Sequence, residues 1–207
     1  MIKRCYMIIK ESMVVTMKND TLEQEFKYTN GTLRNKLGIT QSDFLSSVEF
    51  NTVSQRIKAI ELNPNKFKVN SISDFKLMHR FLFGRIYSWA GQDRHEHRPP
   101  YDLSKNGHQF QPWSSMDMAE KWINRELADT NAKVKPLATD YANLLIDINE
   151  LHPFREGNGR TTKIFLQTIA GQHKQELCFP HYQGRLVEAM NNVDFEEVSR
   201  IIKIVNG

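Results

Sequence analysis

The amino-acid sequence predicts a mainly α-helical domain with one short β-hairpin. Three observations predict it. Apolar residues recur at helical spacing through most of the chain. One stretch, residues 92–113, breaks that pattern with His, Pro, Asn and Gly and carries an Asn-Gly turn. Further on, an apolar helical line stops at His152-Pro153, passes a Gly-rich turn, and resumes as a second helix.

Taken in order, residues 41–61 carry apolar positions at mixed helical spacing. Ser73 is expected to cap a helix that places Phe75, Met78, Leu82 and Ile86 on one face and stops near Trp89-Ala90-Gly91. The hairpin turns at Lys105-Asn106-Gly107. Ser114 or Ser115 caps a helix through about Ala128, and Thr139 caps another with Ala142, Leu145, Ile148 and Leu151 in line. After Gly157-Asn158-Gly159 a helix carries Ile164, Phe165 and Ile169. Two further helical pieces close the chain, the last capped by Asp194 with Glu197 three residues on.

With 207 residues, 40% of them apolar and 25% charged, the chain suits one soluble domain with a sizeable core. Residues 1–27 form a lead-in, flexible or helical, and residues 28–207 the domain. The net charge of +4 favours anionic ligands, but the basic residues form no long stripe, which argues against nucleic acid as a partner. Cys5 and Cys178 have no metal or redox spacing, consistent with a reducing, cytosolic interior. The N-terminal apolar stretch is interrupted by Lys10 and Glu11 and is far short of the ~20 residues of a membrane span, and it lacks a signal-peptide pattern.

The chemistry concentrates in His152-Pro153-Phe154-Arg155-Glu156-Gly157-Asn158-Gly159-Arg160-Thr161-Thr162-Lys163. A helix opening after a Gly-rich turn presents free N–H groups and a positive dipole end, an anion site suited to phosphates. Arg160 and Lys163, three apart, add two positive charges to its first turn. Glu156 is a lone carboxylate beside that cradle, the usual way of holding Mg²⁺ against substrate phosphates. His152, at the end of the preceding helix, can take a proton near neutral pH. The spacing fits neither the P-loop nor the dinucleotide fingerprint. His95-Glu96-His97 lacks zinc-protease spacing and is followed by Pro99, so no metal is assigned to it.

The segment resembles the signature of the Fic family, His-Pro-Phe-x-Asp/Glu-Gly-Asn-Gly-Arg-x-x-Arg, with Lys163 at the last position in place of Arg. Leu82 to Gly91 resembles the helix before that family's flap, Ser104 to Pro112 the flap hairpin, and Thr32 to Ile39 an entry segment of several bacterial members. The resemblance implies a Fic-type helical bundle with a β-hairpin flap over the active site. It implies a protein adenylyltransferase that moves AMP from ATP to a Tyr, Thr or Ser hydroxyl of a target protein. His152 would be the general base, Phe154 a structural anchor and Glu156 the Mg²⁺ ligand. Arg155, Gly157, Asn158, Gly159, Arg160 and Lys163 would bind ATP phosphates. Lys105, Gly107, Phe110, Gln111 and Pro112 would form the flap that docks the target.

Family members are inhibited through Ser/Thr-x-x-x-Glu-Gly/Asn. The nearest match here is Thr21 to Glu25, with Phe26 where Gly or Asn is expected. That points to a small inhibitory antitoxin partner, as in toxin–antitoxin members, with weak inhibition in cis by residues 21–25, or no inhibition, as the other arrangements. The resemblance fits a bacterial cytoplasmic toxin or an effector delivered into a host cell. Two alternatives stand beside it: a Fic-fold binding module with little or no catalysis, and an enzyme of the same fold transferring another phosphate-containing group.

Overall fold

Residues 24–63 and 67–206 are described in the computed structural model of the chain. Cys5, the N-terminal apolar stretch and the motif residues Thr21 to Glu23 lie outside them. The mainly α architecture is as the sequence predicts. In chain order the elements are α1 (Ser42–Glu61), α2 (Ile72–Phe83), β1 (Ser104–Lys105), β2 (His108–Gln109), α3 (Met116–Asn131), α4 (Ala138–Leu151), α5 (Asn158–Gln172), β3 (Gln175–Cys178), α6 (Gly184–Asn191), α7 (Phe195–Ile201) and β4 (Lys203–Asn206).

The core is built round α4. A helix that is apolar on most sides has to be surrounded, and Tyr141, Ala142, Leu144, Leu145, Ile146, Ile148 and Leu151 are all buried. Helices α3, α5, α6 and α7 pack against it. The burial therefore exceeds the single line read from the sequence. Helix α2 lays Ile72, Phe75, Met78, Leu82 and Phe83 into the same core, and α1 packs on α2. Phe26, within the expected lead-in, is buried against Trp89, His97 and Tyr101.

Several boundaries differ from the sequence expectation, and each has a physical cause. Helix α2 starts after Ser71 rather than Ser73, because the Asp74 carboxylate accepts from the N–H groups of Asn70 and Ser71 at 2.9 and 3.0 Å. It stops at Phe83, and Ile86 reaches the core from the turn that follows. Helix α4 starts after Leu137 rather than Thr139, because Asp140 accepts from the Leu137 N–H at 2.8 Å. Asp194 caps α7 through the Glu197 N–H at 2.9 Å, as its sequence predicts.

The hairpin is real but minimal. Ser104 pairs with Gln109 and Lys105 with His108 around Asn106 and Gly107, both at positive φ. Two consecutive left-handed residues match the twist of the flanking strands, which is why Asn-Gly occupies the turn. A second antiparallel pair, β3 with β4, was not foreseen. It sets Gln175 opposite Asn206 and Leu177 opposite Ile204 and covers the end of α5.

Phe154 is fully buried between the Phe75 ring, 5.5 Å between centroids, and the His79 ring at 3.7 Å. Truncation of a buried aromatic removes its transfer energy and leaves a cavity. Phe154→Ala is expected to lower stability by about 3–5 kcal/mol in urea unfolding. A loss below about 1 kcal/mol would mean that the loop is anchored elsewhere.

Candidate active site

The site is the junction between α4 and α5. Helix α4 ends in a left-handed residue, His152, with φ 39° and ψ 60°. Its N–H donates to the Ile148 carbonyl at 3.1 Å, so the turn closes the helix and redirects the chain. The imidazole Nδ1 faces the Asn149 carbonyl at 3.3 Å. A carbonyl can only accept, so Nδ1 carries the proton and Nε2 keeps its lone pair. Phe110 from the flap covers one face of the ring, with centroids 3.6 Å apart and planes at 15°. Burial, and then the positive charges of Arg94 and Lys105, hold the His152 pKa well below its ordinary 6.5, so the ring is neutral near pH 7.

The loop after His152 is braced from within. Asn158 accepts from the Phe154 N–H at 3.0 Å and donates to the Phe154 carbonyl at 2.7 Å. Its amide is thus committed to holding the loop, and what it offers a ligand is its backbone N–H. The N–H groups of Asn158, Gly159 and Arg160 belong to the first turn of α5, where the helix supplies no acceptor. Gly157 sits at φ +86°, and a Cβ there would come within 2.6 Å of the Phe83 ring. Only glycine fits that position.

Charged side chains surround the cradle. The Glu156 carboxylate accepts from the Gly157 N–H at 3.0 Å and lies 4.0 Å from Lys105 of the flap and 3.5 Å from Arg160. Arg160 is held from the other side by Glu49 of α1 at 2.6 Å, and its guanidinium lies over the Phe83 ring. The Tyr87 hydroxyl donates to the same Glu49 carboxylate. Arg160 and Lys163 both line an open cavity of about 370 Å³ with Ile57, Gln167, Phe179 and His181. Lys163 is half-buried with Nζ 5.9 Å from the Phe179 ring, and burial lowers its pKa. Arg155 points elsewhere, its guanidinium over the Phe26 ring at 5.7 Å.

The flap residues divide. Lys105 faces Glu156, and Gly107 makes the turn. Phe110 is buried on His152. Gln111 is tied down, its N–H donating to the Glu150 carbonyl at 2.9 Å and its amide to Ser115 at 2.8 Å. Pro112 accepts from the Ser115 N–H at 3.0 Å. His108 meets Glu150 at 2.9 Å.

A metal at Glu156 would have a single protein carboxylate. No cluster of three or more His, Cys, Asp or Glu suited to a metal occurs among the described residues. That donor set fits a hard cation completed by phosphate oxygens, not an all-protein cage.

The structure also brings in groups that the sequence did not single out. His79 stacks on Phe154 and Phe83, with Nε2 2.9 Å from the Glu156 carbonyl and Nδ1 accepting from the Gly91 N–H at 2.9 Å. It is therefore the Nε2–H tautomer and pins the backbone of Glu156. Glu49 and Tyr87 fix Arg160. His79 is the one with a faint sequence signal, a titratable residue on an apolar helix face.

A family model described as the Fic/DOC family matches residues 70–170. Over those residues, which take in the whole α4–α5 junction, the chain matches that family. Among its Fic relatives, the protein adenylyltransferase VbhT of Bartonella schoenbuchensis is 29% identical over 145 residues, 68% of this chain and 29% of that protein. This chain thus spans less than a third of VbhT. The probable protein adenylyltransferase Fic of Escherichia coli is 26% identical over 166 residues, 78% of each chain. Among solved Fic folds, the Bartonella tribocorum BepC protein, with AMPPNP bound, superposes with a TM-score of 0.75 at 21% identity. That match covers 89% of this chain and 99% of BepC. A Fic domain from Bartonella quintana, with ADP bound, gives 0.75 at 22% identity, covering 87% and 95%. No helix among the described residues is long and apolar enough to cross a membrane.

The pH dependence of stability tests the His79 assignment. Burial lowers its pKa from 6.5 to about 4, so between those values the unfolded chain binds the proton that the folded chain refuses. The stability it confers is present above pH 6.5 and is lost as pH falls toward 4, at most about 3 kcal/mol. Asp147, raised by burial to about 7, acts with the opposite sign, so the comparison has to be between wild type and His79→Gln. The difference between their unfolding free energies is expected to shrink from pH 7 to pH 4; a constant difference would mean that folding does not change the proton affinity of His79.

Proposed function

We propose that this protein is a protein adenylyltransferase, transferring AMP from ATP to a hydroxyl side chain of a target protein. The observation that carries the proposal is an imidazole whose Nδ1 faces a carbonyl, leaving the Nε2 lone pair as its basic site, at the C-terminus of one helix and one short loop before the N-terminus of the next. A histidine whose protonated form is disfavoured is available as a base at neutral pH.

In this reading the triphosphate lies along the first turn of α5. The backbone N–H groups of Asn158, Gly159 and Arg160 bind its oxygens, and Arg160 and Lys163 balance its charge. The cavity they line takes the rest of the nucleotide. Nε2 of His152 removes the proton of the acceptor hydroxyl, whose oxygen forms a bond to the α-phosphorus. The bond from that phosphorus to the bridging oxygen breaks, and pyrophosphate leaves. His152 then releases its proton to solvent. Glu156 would hold Mg²⁺, which when bound would supply charge neutralisation at the phosphates. The edge of the β1–β2 hairpin offers backbone groups to an extended target segment, a mode that fixes register and tolerates side-chain variety.

Lys163 keeps the positive charge of the family's second arginine without its planar fork. It makes no ion pair among the described residues, so a separate inhibitory partner bringing a carboxylate to it belongs to the same proposal. Toxin and translocated-effector roles both remain compatible with this chemistry.

Incubation with Mg²⁺, α-³²P-ATP and a bacterial or host-cell lysate tests the reading. Wild type is expected to label a protein band, His152→Ala to lose about 10²–10⁴-fold, and Lys163→Arg to label at least as well as wild type. Label from γ-³²P-ATP instead would reassign the chemistry to phosphoryl transfer, and no label from wild type or Lys163→Arg would leave a binding module.

A further inference from the structure

Arg94 is a charged residue with no solvent exposure, in the loop between α2 and the flap. Such a residue has to place every donor it can on an internal acceptor. Four of its five side-chain N–H groups do so, and all four go to backbone carbonyls. Nε donates to His152 at 2.9 Å, Nη1 to Tyr101 at 3.1 Å, and Nη2 to Gln111 at 2.7 Å and to Leu151 at 2.9 Å. Its own N–H donates to Pro153 at 2.9 Å, and its carbonyl accepts from Tyr101 at 3.3 Å.

These acceptors form two groups. Leu151, His152 and Pro153 are the end of α4 and the turn that carries the imidazole. Tyr101 and Gln111 bracket the flap hairpin, one before β1 and the other after β2. A single planar guanidinium therefore joins the backbone of the imidazole to both ends of the flap. The turn it holds is left-handed at a non-glycine residue, a conformation that persists only where surrounding contacts over-determine it. The positive charge also sits on the last carbonyls of α4, the negative end of the helix dipole. Asp93, next in the chain, is fixed by Lys76, which also binds Glu120 at 2.9 Å, so the loop carrying Arg94 is anchored to α2 and α3.

We infer that Arg94 is a positioning residue for the transfer reaction, setting the distance and angle between the His152 base and the target segment on the flap. The inference rests on the transferase reading of the site. None of the Arg94 hydrogen bonds goes to the α5 cradle, and Arg94 does not line the cavity beside Lys163, so it governs alignment of the acceptor and leaves nucleotide binding alone. Misplacing a reacting group by about 1 Å costs roughly 10²-fold in rate. Lysine in its place keeps the charge and most of the stem but can reach only part of this divided set of carbonyls.

The experiment compares wild type, Arg94→Lys and Arg94→Ala as full chains. Unfolding is followed by circular dichroism, AMPPNP binding by calorimetry, and labelling of lysate protein from α-³²P-ATP as a function of ATP concentration. Arg94→Lys is expected to fold, to bind AMPPNP within about threefold of wild type, and to lose roughly 10²-fold in maximal rate with little change in the ATP concentration at half-rate. Guanidinium chloride at millimolar concentration is expected to restore part of the rate of Arg94→Ala. A folded Arg94→Lys with an undiminished maximal rate overturns the inference alone, as does a rate loss matched by an equal loss of AMPPNP affinity. If both variants are unfolded and guanidinium restores folding and rate in parallel, Arg94 is a structural tie and the inference falls. Absence of label from wild type removes the transferase reading and this role with it.

Discussion

The left-handed turn at His152 is the constraint on which the rest of the site depends. A helix cannot end and restart within a few residues unless its last carbonyls and the next helix's first N–H groups both find a use. Here the carbonyls of Leu151, His152 and Pro153 are taken by Arg94. The first N–H groups of α5 point into a cradle edged by Glu156 and Arg160. Asn158 closes the loop on Phe154, and Phe154 is clamped between Phe75 and His79. The turn is therefore held from below by aromatic packing and from behind by a buried cation, with its polar side left to solvent and ligand.

Much of this was legible in the sequence because it is contiguous. The segment from His152 to Lys163 carries its own chemistry, and its place between two helices follows from apolar spacing on either side. The Asn106-Gly107 turn was legible for the same local reason. The helix starts were read two residues late at Ser71 and Leu137, because the capping group in each is an aspartate inside the first turn and not the Ser or Thr that draws the eye. The β3–β4 pair escaped because two four-residue strands far apart in the chain leave no periodic trace.

The supporting residues could not be read in advance. His79 meets Glu156 across 77 positions and Arg94 meets His152 across 58. Glu49 reaches Arg160 from α1. Each is a charged or titratable residue whose sequence context suggests only a helix face or a loop. Their partners are mostly backbone atoms or the ends of long side chains, which no residue pattern announces. Phosphate contact was expected from Asn158 without a choice of atom, and the structure commits its side chain to bracing the loop, leaving the backbone N–H as the group available for such a contact.

The bracing of Asn158 also bears on how the protein ages. An asparagine followed by glycine is prone to deamidation, in which the glycine N–H attacks the side-chain carbonyl and the amide becomes a carboxylate. Asn158-Gly159 is such a pair, but it is buried at the side chain, bonded through both amide atoms and locked in a helix. Asn106-Gly107 has the same dipeptide on an exposed turn. Of these two pairs the flap's is the one open to such decay, which would place a new negative charge beside Lys105 while the loop below it stays intact.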